Sequence, residues 1–236
     1  MVVVGRATRL APFTAGWRKS YEGVIRLGMA TTTDDRTGEP VRTSDAWRMV
    51  DRAAVEAVFA AWRGPRRQRP PAHSAVKVRG ERAYRRARRG ETVALEEREV
   101  EIVELELAEC APPDVRFRAT VSGGTYVRSL ARDVGEALSC GAHLASLTRT
   151  AVGPFRLEQA KPPQAVTAED LRPAALLVSD LPRRTLAVAE RDAVVHGRPL
   201  QAVDEPDRVA LFAGEELVAV GERVGDVVKP RVVVAE

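Results

Sequence analysis

Residues 115–121 read VRFRATV, with Val115, Phe117, Ala119 and Val121 alternating strictly with the positions between them. Period-two alternation predicts a strand with one buried and one wetted face. The run before it, EVEIVELELAEC, sets Val103, Leu105 and Leu107 against Glu104 and Glu106. The turn sequence APPD separates the two runs, so they predict an antiparallel pair. From Tyr21, YEGVIRLGMATTTDD reads as a strand running into a polar turn that holds Asp34 and Asp35. In DRAAVEAVFAAWRG the period changes: Val55, Val58, Phe59 and Trp62 fall on one helical face, behind Asp51 as N-cap. Gly64 and Pro65 stop that helix, and PRRQRPPAHS is too proline-rich for a helix or a central strand.

In VSGGTYVRSLARDVGEALSCGAHLASL the small residues of SGG separate strand-like from helix-like sequence. Val127, Leu130, Ala131, Val134, Ala137 and Leu138 form a helical stripe, with Gly141 as the expected stop. Tyr126 then stands at a helix N-terminus, where free N–H groups favour anions, and Arg128 lies off the apolar stripe. Two readings of the pair remain open at this level: a core aromatic beside a solvated helix residue, or two groups facing a cleft. After residue 182 come the short runs RVALFAG, ELVAVGERV and VVKPRVVVA, with one helix candidate, ERDAVVHG. The pattern predicts an α+β fold. A mixed, largely antiparallel sheet with flanking helices is expected over residues 1–180, and a small β-rich module over 181–236.

Composition narrows the class. The 236 residues are 44% hydrophobic and 30% charged, enough for a sizeable core. No apolar run approaches a membrane span, and MVVVGRATRLAPF lacks the apolar centre of a signal peptide. Cys110 and Cys140 have no metal or disulfide spacing, so a cytoplasmic location is expected; His73, His143 and His196 are too scattered for a metal site. The net charge is +4, but Arg63–Arg89 alone holds eleven basic residues against Glu81, which leaves −6 for the rest. That clustering fits a polyanion-binding arm, with a solvated charged loop as the alternative. Lys77 and Tyr84 add phosphate-pairing and stacking chemistry to the arm.

KSYEGVIRLGMATTTDD, PPAHSAVKVRGERAYRRARRGE, SGGTYVRSLARDVGEALSCGAHLASLTRT and GPF follow one another in an order and spacing that resemble the TruB-family tRNA pseudouridine synthases. LPRRTLAVAERDAVVHGRPL is similar to the start of that family's PUA-like RNA-binding module. The resemblance implies an isomerase that converts uridine 55 in the T arm of tRNA to pseudouridine, without metal or organic cofactor, and the chain is expected to be a monomer. It implies that Tyr21 stacks on the target base, that Tyr126 is a second active-site tyrosine, and that Arg128 pairs with the catalytic aspartate. Leu147 would line the base pocket. Lys77, Tyr84, Arg85, Arg86, Arg88 and Arg89 would grip the RNA.

One departure goes with the match. The family's nucleophilic aspartate lies in a GHxGTLDPxAxG block upstream of a GRATRL-like segment, and here GRATRL begins at Gly5. Asp34 and Asp35 sit in the polar turn, and Asp133 reads as a structural helix carboxylate, so none substitutes. The chain as given is therefore expected to be inactive alone. Either the missing block is encoded upstream, or the chain is a non-catalytic tRNA-binding paralogue. An exposed apolar sheet edge or groove is also expected near residues 1–10.

Overall fold

The computed structural model describes residues 1–78, 80–91 and 95–235. Arg79, part of the basic arm, and Glu236, the last residue of the expected module, lie outside the described residues. The chain forms two compact units, Gly16–Gln159 and Met1–Ala15 together with Ala160–Glu236.

The first unit contains, in order, β1 (Lys19–Leu27), β2 (Met29–Thr31), β3 (Pro40–Thr43), α1 (Arg52–Trp62), β4 (Gly64–Gln68), β5 (Lys77–Val78), β6 (Glu81–Arg82) and α2 (Ala83–Arg88). It continues with β7 (Arg98–Ala111), β8 (Asp114–Val121), α3 (Val127–Ala137), β9 (Ala142–Val152) and β10 (Phe155–Arg156). Six strands make one sheet in the order β10-β9-β1-β8-β7-β4, antiparallel at every pairing. Pro65 is accommodated because β4 is an edge strand.

One face of this sheet carries the core. Ile25, Leu27, Ile102, Leu105, Val115, Phe117, Ala119 and Val121 pack with Val55 and Phe59 of α1 and with Val127, Leu130, Ala131 and Val134 of α3. Asp51 caps α1 as its sequence predicts, accepting from the Ala54 N–H at 2.8 Å. The other face holds polar ladders such as Arg118–Glu22 and Arg26–Asp114, both more than 40% exposed. Each buried core side chain is worth about 1.5–3 kcal/mol and each exposed pair about 0–1, so the helix-covered face sets stability.

Two details differ from the periodicity. A β-bulge between Ile102 and Glu104 places one extra residue on β7, so Ile102 enters the core and Val103 does not. In α3 the stripe ends early: Ala137 is exposed, and the helix stops through Ser139 in the left-handed region (φ 58°), ahead of Gly141. Gly135 has to be glycine because a Cβ there would lie 2.3 Å from the Ala142 nitrogen, where the chain doubles back into β9.

In the second unit, β11 (Arg183–Thr185), α4 (Val188–Val195), β12 (Leu200–Gln201), β13 (Arg208–Ala213), β14 (Glu216–Val224) and β15 (Val227–Val233) build a five-stranded sheet with one helix. β11 runs parallel to β13; the other pairings are antiparallel. Its core is Leu186, Val194, Leu200, Val209, Leu211, Val218 and Val228. Arg184, beside this core, is paired at 2.6 Å with both Glu190 and Glu205. The segment near residues 1–10, expected to present an exposed apolar sheet edge or groove, forms no strand. Met1, Val2 and Val4 are exposed, but Gly5–Thr14 is a 3-10 helix with Leu10 fully buried, and it contacts the 3-10 helix Ala174–Val178.

Candidate active site

The strand-to-helix junction before α3 gathers the site. Tyr126 is the N-cap residue of α3 and has no side-chain cap of its own. Its backbone is held from outside: the Gln68 Oε1 accepts the Tyr126 N–H at 2.8 Å, and the Gln68 Nε2 donates to the Tyr126 carbonyl at 3.1 Å. Arg128, in the first turn, points off the apolar stripe as the sequence suggests. Its Nη1 donates to Asp35 Oδ2 at 3.0 Å and to the Thr33 carbonyl at 3.2 Å, while Nη2 donates to the His73 carbonyl at 2.9 Å.

Asp35 reaches Arg128 because the turn before it is bent to order. Asp34 adopts φ 58°, a conformation that aspartate tolerates better than most residues. The turn is pinned to β9 by Leu144 N–H donating to the Asp34 carbonyl (3.0 Å) and Arg36 N–H to the Leu144 carbonyl (3.1 Å). As a result Asp35 faces Arg128 and Asp34 faces Arg132, one helical turn later, also at 3.0 Å. Arg132 shares its charge with Asp133 at 2.7 Å.

The two acids of the turn are tuned in opposite directions. Burial works to raise the Asp35 carboxyl, but donors from the Thr37 and Thr33 hydroxyls, the Thr37 N–H and Arg128 outweigh it and hold it below the usual range. Asp34 is raised, first by burial and further by Asp133, with Arg132 and Arg128 only partly offsetting this. Asp35 therefore stays ionised, with Oδ1 occupied by threonines and Oδ2 by Arg128. It is an anchor for the guanidinium rather than a free nucleophile.

Tyr21 and Leu147 come together through strand register. β1 pairs Tyr21 with Ala119 on one side and Arg149 on the other, and Gly23 with Leu147. Tyr21 packs against the core cluster, so this is the face that α3 covers, and α3 contacts both β9 and β1. Leu147 is 41% exposed there, an apolar side chain open to a ligand. A side chain at Gly23 would lie 2.6 Å from the Ser146 carbonyl and 2.9 Å from the Phe117 ring, which explains the glycine between Tyr21 and Leu147.

The arm residues form a separate lobe. β5 and β6 make a hairpin followed at once by α2. Arg89 is paired with Glu81 and Glu91, and Arg86 with Glu91. Lys77, Arg85 and Arg88 are exposed, the last with its guanidinium 5.5 Å from the Tyr84 ring centre. Arg85 hydrogen-bonds Tyr84 and holds its phenol below the ordinary range. Lobe and cleft meet in consecutive peptide groups: the His73 carbonyl accepts from Arg128 and the Ser74 carbonyl from the Tyr84 N–H, at 3.0 Å. The Ser74 hydroxyl is buried with no partner among the described residues.

Asp35, Gln68 and the His73 carbonyl are the contributors that sequence reasoning missed. Their only local signals were two adjacent acids in a threonine-rich turn and one glutamine in a run of arginines and prolines. Among the described residues no group of three His, Cys, Asp or Glu could hold a metal ion, and no helix is long and apolar enough to cross a membrane.

Comparison with known proteins identifies the family. Residues 1–127 match the TruB family pseudouridylate synthase N-terminal domain, and 128–191 match the tRNA pseudouridylate synthase B C-terminal domain. The tRNA pseudouridine synthase B of Thermobifida fusca (strain YX) is 44% identical over 246 residues, covering 100% of this chain and 84% of the relative. That of Burkholderia lata is 40% identical over 240 residues, covering 96% and 74%. In fold, the chain resembles a structure of an H/ACA RNP bound to a substrate RNA containing 2'-deoxyuridine (TM-score 0.71, 21% identity, 99% of this chain and 71% of that one). It also resembles a Cbf5-Nop10-Gar1 complex (TM-score 0.68, 24% identity, 99% and 70%). With family models spanning most of its length, the chain belongs to the TruB family of pseudouridylate synthases.

Proposed function

We propose that this protein is a tRNA pseudouridine synthase that isomerises uridine 55 in the T arm, acting in the cytoplasm as a monomer. The observation that carries the reading is the guanidinium of Arg128, fixed on three acceptors beside a tyrosine whose backbone is itself clamped. The reaction breaks the N1–C1′ bond and forms a C5–C1′ bond, so the base must be held while it is detached and turned. Reaching it in a folded RNA costs a few kcal/mol of unstacking. Tyr21, Tyr126 and Leu147 supply flat and apolar contacts that offset this cost. Arg128, held partly out of water, is placed to orient and keep ionised a carboxylate nucleophile.

The motif resemblance puts that nucleophile in a GHxGTLDP-type segment. Tritium release from tRNA labelled at uridine C5 tests the reading in the 236-residue chain and in the chain carrying that segment. Turnover by the extended chain supports it. Silence there, with tRNA still bound, would favour the non-catalytic tRNA-binding paralogue.

The lobe from Lys77 to Arg89 is the proposed grip on the T arm, and residues 181–236 the second RNA-binding module. If six to ten phosphates are engaged, affinity falls about 10³–10⁵-fold between 50 and 200 mM salt. The arginines are not equivalent. Arg85→Gln and Arg88→Gln should each lower the salt slope by about one. Arg86→Gln and Arg89→Gln should do less, because Glu81 and Glu91 already neutralise those side chains. Equal effects from all four would show that the ion pairs open on binding.

A further inference from the structure

Gln68 is the last residue of edge strand β4, 3% exposed, and its backbone is fixed by pairing with Arg98 of β7. Its side-chain amide spans the gap to Tyr126 and makes both bonds of a peptide-like pair. The Tyr126 carbonyl also accepts the first helical bond, from the Leu130 N–H at 3.1 Å. Both backbone groups of Tyr126 are thus fixed, and the backbone decides where its ring can point. Near neutral pH a primary amide of this length donates and accepts at once here, which an ionised carboxylate cannot. Glutamate accepts only, leucine does neither, and asparagine is one methylene short.

The neighbouring backbone completes the fastening. The Arg69 carbonyl accepts from Ser129 at 2.9 Å and from Arg132 at 3.1 Å, and the His73 carbonyl from Arg128. The segment from Gln68 to His73 is therefore a strap across the first turn of α3, and Gln68 is its one side-chain fastener on Tyr126.

We infer that Gln68 is a positioning residue for the isomerisation: it sets the Tyr126 ring against the target uridine without touching RNA itself. This rests on the proposed function, in which Tyr126 meets the base. Misplacing a reacting partner by about 1 Å can cost about 10²-fold in rate, so loss of the fastener is expected in turnover and not in tRNA affinity.

The test uses the chain carrying the nucleophile segment, with Gln68→Leu and Gln68→Glu, folding being checked by thermal unfolding. Gln68→Leu should lower kcat about 10–100-fold, with tRNA Kd unchanged. Gln68→Glu should be equally slow at pH 8, where a carboxylate faces the Tyr126 carbonyl. It should recover toward pH 5.5 relative to the parent, because burial raises a carboxyl's pKa and the protonated acid regains the donor. A merely structural role would not produce that pH-dependent rescue. Folded Gln68→Leu with parental kcat, or folded Gln68→Glu with no recovery, overturns the inference. If the parent itself makes no pseudouridine, the functional reading falls instead. The clamp is then decided by amide exchange at Tyr126, which must quicken in Gln68→Leu.

Discussion

Arg128→Met, in the chain carrying the nucleophile segment, is expected to lower turnover about 10²–10³-fold, the usual cost of removing a preorganised charged donor from a site. Binding of tRNA should change little, because the proposed grip rests mainly on Lys77, Arg85 and Arg88, which are exposed on the lobe and apart from Arg128. Asp35→Asn should cost less. The amide removes the counter-charge, but the Thr33 and His73 carbonyls still hold the guanidinium at 3.2 and 2.9 Å. Because Asp35 is read as acting through Arg128, the double variant should be no slower than Arg128→Met alone. Single-turnover tritium release across the four proteins checks this. Additive losses would mean that Asp35 meets the substrate on its own account.

Arg132→Ala should give the largest loss of stability. It strips the counterion from Asp34 and Asp133, whose side chains are each 15% exposed. Leaving buried carboxylates uncompensated costs about 3 kcal/mol, which is about 6–12 °C in Tm for a chain of this size. The deficit should depend on pH in a set direction. Burial, first among the causes, already raises both acids, and Arg132 leads the groups pulling them down, ahead of Arg128 at Asp34 and Arg66 at Asp133. Without it their folded pKa values rise further above the unfolded ones. Such acids favour the folded state while protonated and lose that contribution as pH rises through the folded pKa. The gap between variant and parent should be widest at neutral pH and narrow on acidification. A gap that widens toward acid would contradict the placement of the two carboxylates.

Periodicity made the sheet pair β7–β8 and the two long helices legible, because a period of two or 3.6 is written within ten residues. Val103 shows where that fails: a bulge is a property of two strands and leaves no mark on one. Asp35 and Gln68 fail differently. They stand 93 and 58 residues from the side chain and backbone they hold, and neither residue type advertises a partner at that distance. The positions of Tyr21, Tyr126, Arg128 and Leu147 could be named from motif resemblance. The means of holding Tyr126 and Arg128 could not, since these are long-range polar contacts in which the motif residue is the guest and an unremarkable neighbour the host.

The His73 and Ser74 carbonyls carry a thermodynamic consequence. One is bound by Arg128 and the next by the Tyr84 amide at the head of the basic helix. Two consecutive peptide groups thus join the cleft to the lobe. Linkage between two sites is reciprocal. Under the proposed function, whatever free energy a phosphate contact at the lobe delivers to the arginine, a uridine seated beside the arginine would return by the same factor. Grip and fit are then two readings of one equilibrium, and an RNA lacking the right base should leave the lobe sooner than its phosphates alone would dictate.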